Sequence, residues 1–312
     1  MYSWYYSVYP ERRLTMRMKN SLSRGAVLVL SIAATLVLAG WAAKTAPVKP
    51  AVAAAKSAVL EYKMPAGRVL TYKISEDMSQ IMDIMGQTMD TFTKSGGTNT
   101  FSAKGRKDKN LLLGVTIDDM FITINSPMGD MSPDLSPVKG QSFDMVLSPL
   151  GSEVDVSGAE AITYASASGM TDVSIGFKLF FPDLPGKPLQ VGDTWNSSSG
   201  ADDKSEEMAV RMDFQYVNTF EGLETVEGME CARIKSQVTS TISGTGTQQG
   251  MELTMSGTGT GTDIWHFAVK EGIYVKSMSD LTFDMTIMVP AADMSIPVTQ
   301  MRKGEITLTA KK

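Results

Sequence analysis

The chain has 312 residues, 43% of them hydrophobic, with 29 Lys and Arg against 34 Asp and Glu for a formal charge of -5. Both signs are well mixed, so there is no basic stripe for nucleic acid and no polybasic patch for an anionic membrane. A single cysteine, Cys231, excludes an intramolecular disulfide and a cysteine-based zinc site, and a single histidine, His266, removes most histidine-dependent chemistry.

The first segment reads as an address rather than as fold. Arg17, Lys19 and Arg24 precede an apolar run from Gly25 to Leu38, interrupted only by Ser31 and Thr35, and small residues follow. That is the order of an export signal, and the run is shorter than the ~20 residues of a membrane-spanning helix. Residues 1–43 are therefore expected to be an export signal, with "MYSWYYSVYPERRLT" an upstream mis-start and translation beginning at Met16 or Met18. In "LVLAGWAAK", Trp41 stands where a lipoprotein would carry its lipid-modified cysteine, so no thioether-linked lipid is expected. Periplasmic or secreted release after Ala42 is preferred over an anchor through an uncleaved N-terminal segment. Residues 44–58, rich in Ala, Pro and Lys, read as a flexible linker.

From Val59 onward the signal is alternation. "LTFDMTI" places Leu281, Phe283, Met285 and Ile287 on one face, and "RMDFQYV" does the same with Met212, Phe214 and Tyr216. "KEG" between "DIWHFAV" and "IYVKSMS" reads as a hairpin loop with Gly272 left-handed. "SEDMSQIMDIMGQTMDTF" fits either an amphipathic helix or a hairpin turning near Gly86, and the hairpin is preferred. "AEAITYASASG" is the best helix candidate.

"SFDMVLSPLGSEVDVSG" and "TDIWHFAVKEGIYVKSMS" share a strand, a glycine turn and a second strand, which suggests two related halves. The expected organisation is an N-terminal β half over 59–180, a Pro-rich connector over 181–195 and a C-terminal β half over 196–312. The fold class is mainly β: a long curved antiparallel meander, half-barrel or barrel-like, with a short helix.

"VGDTW" is the most motif-like stretch. Gly192 permits a tight turn, Asp193 is suited to bonding amides two residues on, and Trp195 starts a strand pointing inward. Together with "LPGKPLQ" it resembles a family of secreted bacterial β-rich proteins, often lipoproteins, that carry Leu-Pro followed by Gly-Asp-x-Trp. "GRVLTYKIS", "GMECARIKSQ" and "EGIYVKS" match that layout. The resemblance implies location and fold and no reaction.

Residues with catalytic spacing are absent from the sequence, so no enzyme, cofactor or metal site is expected. The Met-rich clusters read as adaptable apolar filler before they read as a Cu(I) site, since no histidine accompanies them. Asp118–Asp119 and Asp202–Asp203 put neighbours on opposite faces, and His266 is expected as a lone surface histidine. In "ARIKSQVTSTISGTGTQQGMELTMSGTGTGTDIWHF", Met251, Met255, Gly257, Gly259, Gly261, Trp265 and Phe267 share one face. With "TQQG" as the turn, Gly244 is expected near Leu253, and Gly257 to Gly261 across from Ser240 to Ser236. Those seven residues form a candidate ligand floor, since glycine inside a strand marks curvature, close approach or free space.

The leading expectation is a non-catalytic exported bacterial envelope protein that binds a lipid or other apolar small molecule. The alternative is a structural or protein-interaction β module with a filled core.

Overall fold

The computed structural model describes residues 57–312 apart from Met128, Ser168, Glu206 and Gln249. The expected export signal, and the linker up to residue 56, lie outside the described residues. The described residues belong to one compact unit.

Its strands are β1 (Val69–Ile84), β2 (Gln87–Lys107), β3 (Asn110–Ser126), β4 (Gly129–Asp130), β5 (Ser142–Leu147), β6 (Glu153–Asp155), β7 (Thr163–Ser166) and β8 (Gly169–Asp172). They continue with β9 (Thr194–Lys204), β10 (Met208–Val226), β11 (Met229–Gln248), β12 (Met251–Ala268), β13 (Ile273–Val289) and β14 (Met294–Lys311). Two helices, α1 (Ser157–Glu160) and α2 (Ile175–Lys178), lie between β6 and β9. Twelve strands form one antiparallel sheet in the order β6-β5-β3-β2-β1-β14-β13-β12-β11-β10-β9, with β4 paired to β3; β7 and β8 pair separately. The sheet is open, since β6 and β9 are not paired.

This order follows from short turns. Met85–Gly86 and Glu227–Gly228 each put two consecutive residues at positive φ, the conformation that lets a two-residue loop match strand twist. The segment 76–92 is thus a hairpin, its sixteen-residue first strand alternating between an interior and a wetter face. The two expected halves meet through the β1–β14 pairing, Leu70 opposite Lys311 to Met82 opposite Val298. They are the two wings of a single sheet.

The sheet curls enough for Gln80 of β1 to share a small cavity with Val210 and Met212 of β10, five strands away in the sheet order. The connector from β6 to β9 crosses this concave side. Tyr72, Phe101, Phe180 and Phe181 interlock there, with ring centroids 5.7 Å apart for Tyr72–Phe101 and 4.9 Å for both Phe101–Phe180 and Phe180–Phe181. Each buried ring contributes about 2–3 kcal/mol by leaving water. At the other end of the concave side Arg302 is buried; its Nε donates to Gln300 Oε1 at 2.8 Å and its guanidinium lies 5.2 Å from the Phe283 centroid.

Two expectations are corrected. "AEAITYASASG" is not a helix beyond Glu160, because Thr163 and Tyr164, both strand formers, pair with Asp172 and Thr171 across a turn that needs Gly169 at φ 96°. The linker ends earlier than expected: Ala58 exchanges backbone bonds with Leu189 at 2.9 and 2.8 Å, and Ala58, Leu60, Tyr62 and Met64 alternate into the core.

Candidate functional site

The inner face of the C-terminal wing is built in rungs. Ile234, Trp265 and Ser277 form one rung; Ser236, Asp263 and Ser279 the next; Val238, Gly261 and Leu281 the third. Asn218 of β10 pairs with Ser236, and Ser197 of β9 with Tyr216. Over these rungs lies the connector from Lys178 to Asp183, enclosing a cavity of about 90 Å³.

Its polar groups form an ordered chain. Trp265 Nε1 donates to Ser236 Oγ at 3.0 Å, Ser236 Oγ donates to Asn218 Oδ1 at 2.6 Å, and Asn218 Nδ2 donates to Ser197 Oγ at 2.9 Å. Asp263 stands outside this chain. It keeps some accessible surface, yet its Oδ1 is sealed from solvent and has no hydrogen-bond partner. Burial pushes its carboxyl up to about 8, against a small opposing effect from the Ile264 amide. Burial likewise raises Glu153, which accepts the Phe181 amide at 3.0 Å, and Asp183, which accepts the Ser152 hydroxyl at 3.2 Å.

A second cavity, about 60 Å³, lies on the other side of the connector. It is mainly apolar: Ile74, Ile117, Met120, Phe177, Phe180 and Ile306 line it together with Asn99 and Asp119, and Gly176 leaves open space, whereas a Cβ on Gly96 or Gly97 would meet the carbonyl oxygen of Ile74 or Asp119. Leu179, Phe180 and Ile306 line both cavities, so the connector is the partition between them.

The expected ligand floor is corrected in part. A side chain on Gly257 would come within 2.5 Å of Met285 Cγ, on Gly259 within 2.6 Å of Phe283 Cε1, and on Gly261 within 2.6 Å of Leu281 Cδ2. The space is therefore filled by the β13 side chains, and these glycines serve close cross-strand packing. Phe267 is core, edge-on to Tyr62 at 5.1 Å. Met251 is half-buried at the start of β12, and Met255 lines the small cavity with Met212 and Ile242. Of the seven, Trp265 alone lines the cavity beneath the connector. The register is also two residues off the expected one: Gly244 pairs with Met255, Gly246 with Leu253, and Gly257, Gly259 and Gly261 with Ile242, Ser240 and Val238. The physical reason is a tight turn, with Gln248 already paired to Met251.

Gly192, Asp193 and Trp195 serve the fold. Gly192 has φ 94°, and Asp193 Oδ2 accepts the Gln190 amide at 2.8 Å, three residues back and not two on. Trp195 is half-buried and meets Trp265 edge-on at 6.1 Å. His266 does face away from Trp265 and Phe267, but it is buried, contrary to expectation. Arg233 and Lys276 flank it in register, and its Nε2 lies 2.5 Å from Glu224 Oε1. Burial, only partly offset by Glu224, holds its pKa below the ordinary value. Cys231 is buried, and burial pushes its thiol up to about 11.

Asp263 is the residue that sequence reasoning missed. Its parity with Gly261 and Trp265 was the available signal, since residues two apart on a strand share a face.

No family model matches the chain, and no curated protein matches it. Among solved structures it is similar to a candidate exported protein with a YmcC-like fold from Bacteroides fragilis, at 8% identity and TM-score 0.27, covering 81% of this chain and 99% of that one. It is similar to a candidate lipoprotein from Parabacteroides distasonis at 10% identity and TM-score 0.30, covering 80% and 97%. An outer membrane channel from Pseudomonas putida aligns at 9% identity and TM-score 0.23, covering 79% and 97%.

Proposed function

We propose that this is a non-catalytic, exported bacterial envelope protein whose concave sheet face takes a lipid tail or another apolar ligand. The observation that carries the reading is the apolar cavity between α2 and the sheet. An apolar space of this kind is what an acyl or hydrocarbon group occupies in small-molecule sites. Gly176 leaves open space in its lining, where a side chain would fill it. Its outer wall is the connector, whose described residues contribute no strand to the main sheet between β6 and β9 and which joins the first described residues through the Ala58–Leu189 bridge. The N-terminal export pattern supports the location.

Gly176 supplies the test. It lines the cavity, a Cβ there meets nothing within 4 Å, and its φ lies outside the left-handed region. Saturable binding of a fluorescent fatty acid to the wild type, weakened at least tenfold in Gly176→Leu with no loss of melting temperature, is the expected result. Equal binding by both proteins, or none by the wild type, contradicts the reading.

The filled glycine floor favours a second reading, a β module with a packed core that meets a protein partner. Thr239, Thr241, Thr254, Thr258 and Thr260 stand exposed on its outer face and would supply the contact.

A further inference from the structure

We infer that the polar chamber beneath Phe180–Asp183 seats an organic cation, an amine or quaternary ammonium group, against Asp263. A carboxylate oxygen that is buried without a donor is a costly feature unless something pairs with it. Asp263 Oδ1 is such an atom. Ser236, across from it on β11, does not supply the partner, because its hydroxyl is committed to Asn218 and receives the indole N–H of Trp265. Glu153 and Asp183 add two further carboxyls to the same lining. Among the described residues Lys178 is the cation in this lining, and its Nζ is held by Glu160 Oε1 at 3.1 Å.

The wall chemistry selects the kind of cation. Tyr216, Trp265 and Tyr274 line the chamber with the carboxyls, and aromatic rings beside acids are the surroundings that favour alkylammonium groups. A compact metal ion is disfavoured: among the described residues no three Asp, Glu, His or Cys are placed to hold one. At about 90 Å³ the chamber is also roomier than a coordination cage.

A pH signature follows. With the Asp263 carboxyl pushed up to about 8, the empty chamber holds a neutral acid at pH 7, and a permanent cation displaces its proton. Affinity therefore rises with pH, about tenfold per unit below 8, and levels off above it. The other titratable groups facing the chamber are Glu153 on β6, Lys178 on α2, Asp183 on the connector, Tyr216 on β10 and Tyr274 on β13. Glu153 and Asp183, also raised by burial, act in the same direction.

The test is calorimetric titration of the full chain with tetramethylammonium chloride at pH 6 and pH 9, with tert-butanol as the uncharged control. Saturable binding at pH 9, about a hundredfold weaker at pH 6, absent with tert-butanol and lost in Asp263→Asn with its fold intact, is the expected outcome. No binding at pH 9, affinity equal at the two pH values, or binding retained by Asp263→Asn overturns the inference. Should that variant not fold, the wild-type pH profile still decides. Tetramethylammonium carries no apolar tail, and the apolar-ligand test uses the other cavity, so the two readings fail separately.

Discussion

The ring of Phe283 lies against Gly259, its cross-strand partner, in the place that a side chain at 259 would take. Glycine at this position serves packing rather than backbone conformation, since its φ is not left-handed. Gly259→Leu should cost about 1–3 kcal/mol as an overpacked core, and Gly259→Ala should also destabilise. Thermal melts of these variants in the wild-type and Phe283→Leu backgrounds check the cause. Gly259→Ala should cost less once the ring is shortened, and an unchanged cost would show that Phe283 is not the obstacle.

Asp263 sets a pH dependence of stability whose sign can be worked out. Its folded-state carboxyl is raised from 3.8 to about 8, so between those values the folded chain binds the extra proton. Stability from this group is then fully present near pH 4 and is lost as pH rises through 8. Melting temperature should therefore climb as pH falls from 9 to 7, above the range in which the depressed pKa of buried His266 acts oppositely, and Asp263→Asn should reduce that climb. Asp130, Asp155 and Asp213, whose hydrogen bonds lower their pKa values, act oppositely only at more acidic pH.

The turn at Met85–Gly86 offers a gain in stability. Met85 is 82% exposed and sits at φ 55°, a conformation that costs an ordinary residue roughly 1–2 kcal/mol. Asn tolerates it, so Met85→Asn should recover part of that cost and raise the denaturation midpoint. Gly86→Val should lower it.

In "VGDTW" the indole and the carboxylate should separate clearly. Trp195→Ala removes a half-buried ring stacked edge-on to Trp265 and should cost about 3 kcal/mol. Asp193→Asn retains an acceptor for the Gln190 amide and should cost well under that. Asp193→Ala loses it, for about 1 kcal/mol. Urea denaturation of the three variants gives the order.

The strands were readable because long stretches of β10 and β13 alternate, so residue spacing alone identifies the interior face of Met212–Phe214 or Leu281–Phe283. What fills that interior was not readable. The glycines on β12 mark close approach or free space equally well, and only the register that sets Phe283 beside Gly259 decides between them. The chamber was hidden for a related reason. Its roof comes from Lys178–Asp183, and nothing local in those residues states that they cross from one wing to the other. Asp263 shares the parity of Gly261 and Trp265, but its place in the chamber shows only once Ser236 and Ser279 are found beside it.

The export reading predicts a mature chain that begins near Ala43 with a free amino group and no acyl chain, because Trp41 offers no thiol to lipidate. N-terminal sequencing of the exported product checks it. A chain still starting at Met16 or Met18 in the membrane fraction would support an anchor instead.

Native mass spectrometry of the protein purified from its own cells tests the binding role most directly. The account predicts a reproducible small-molecule mass retained by the wild type and missing from Gly176→Leu. The polypeptide mass alone in both proteins would contradict it.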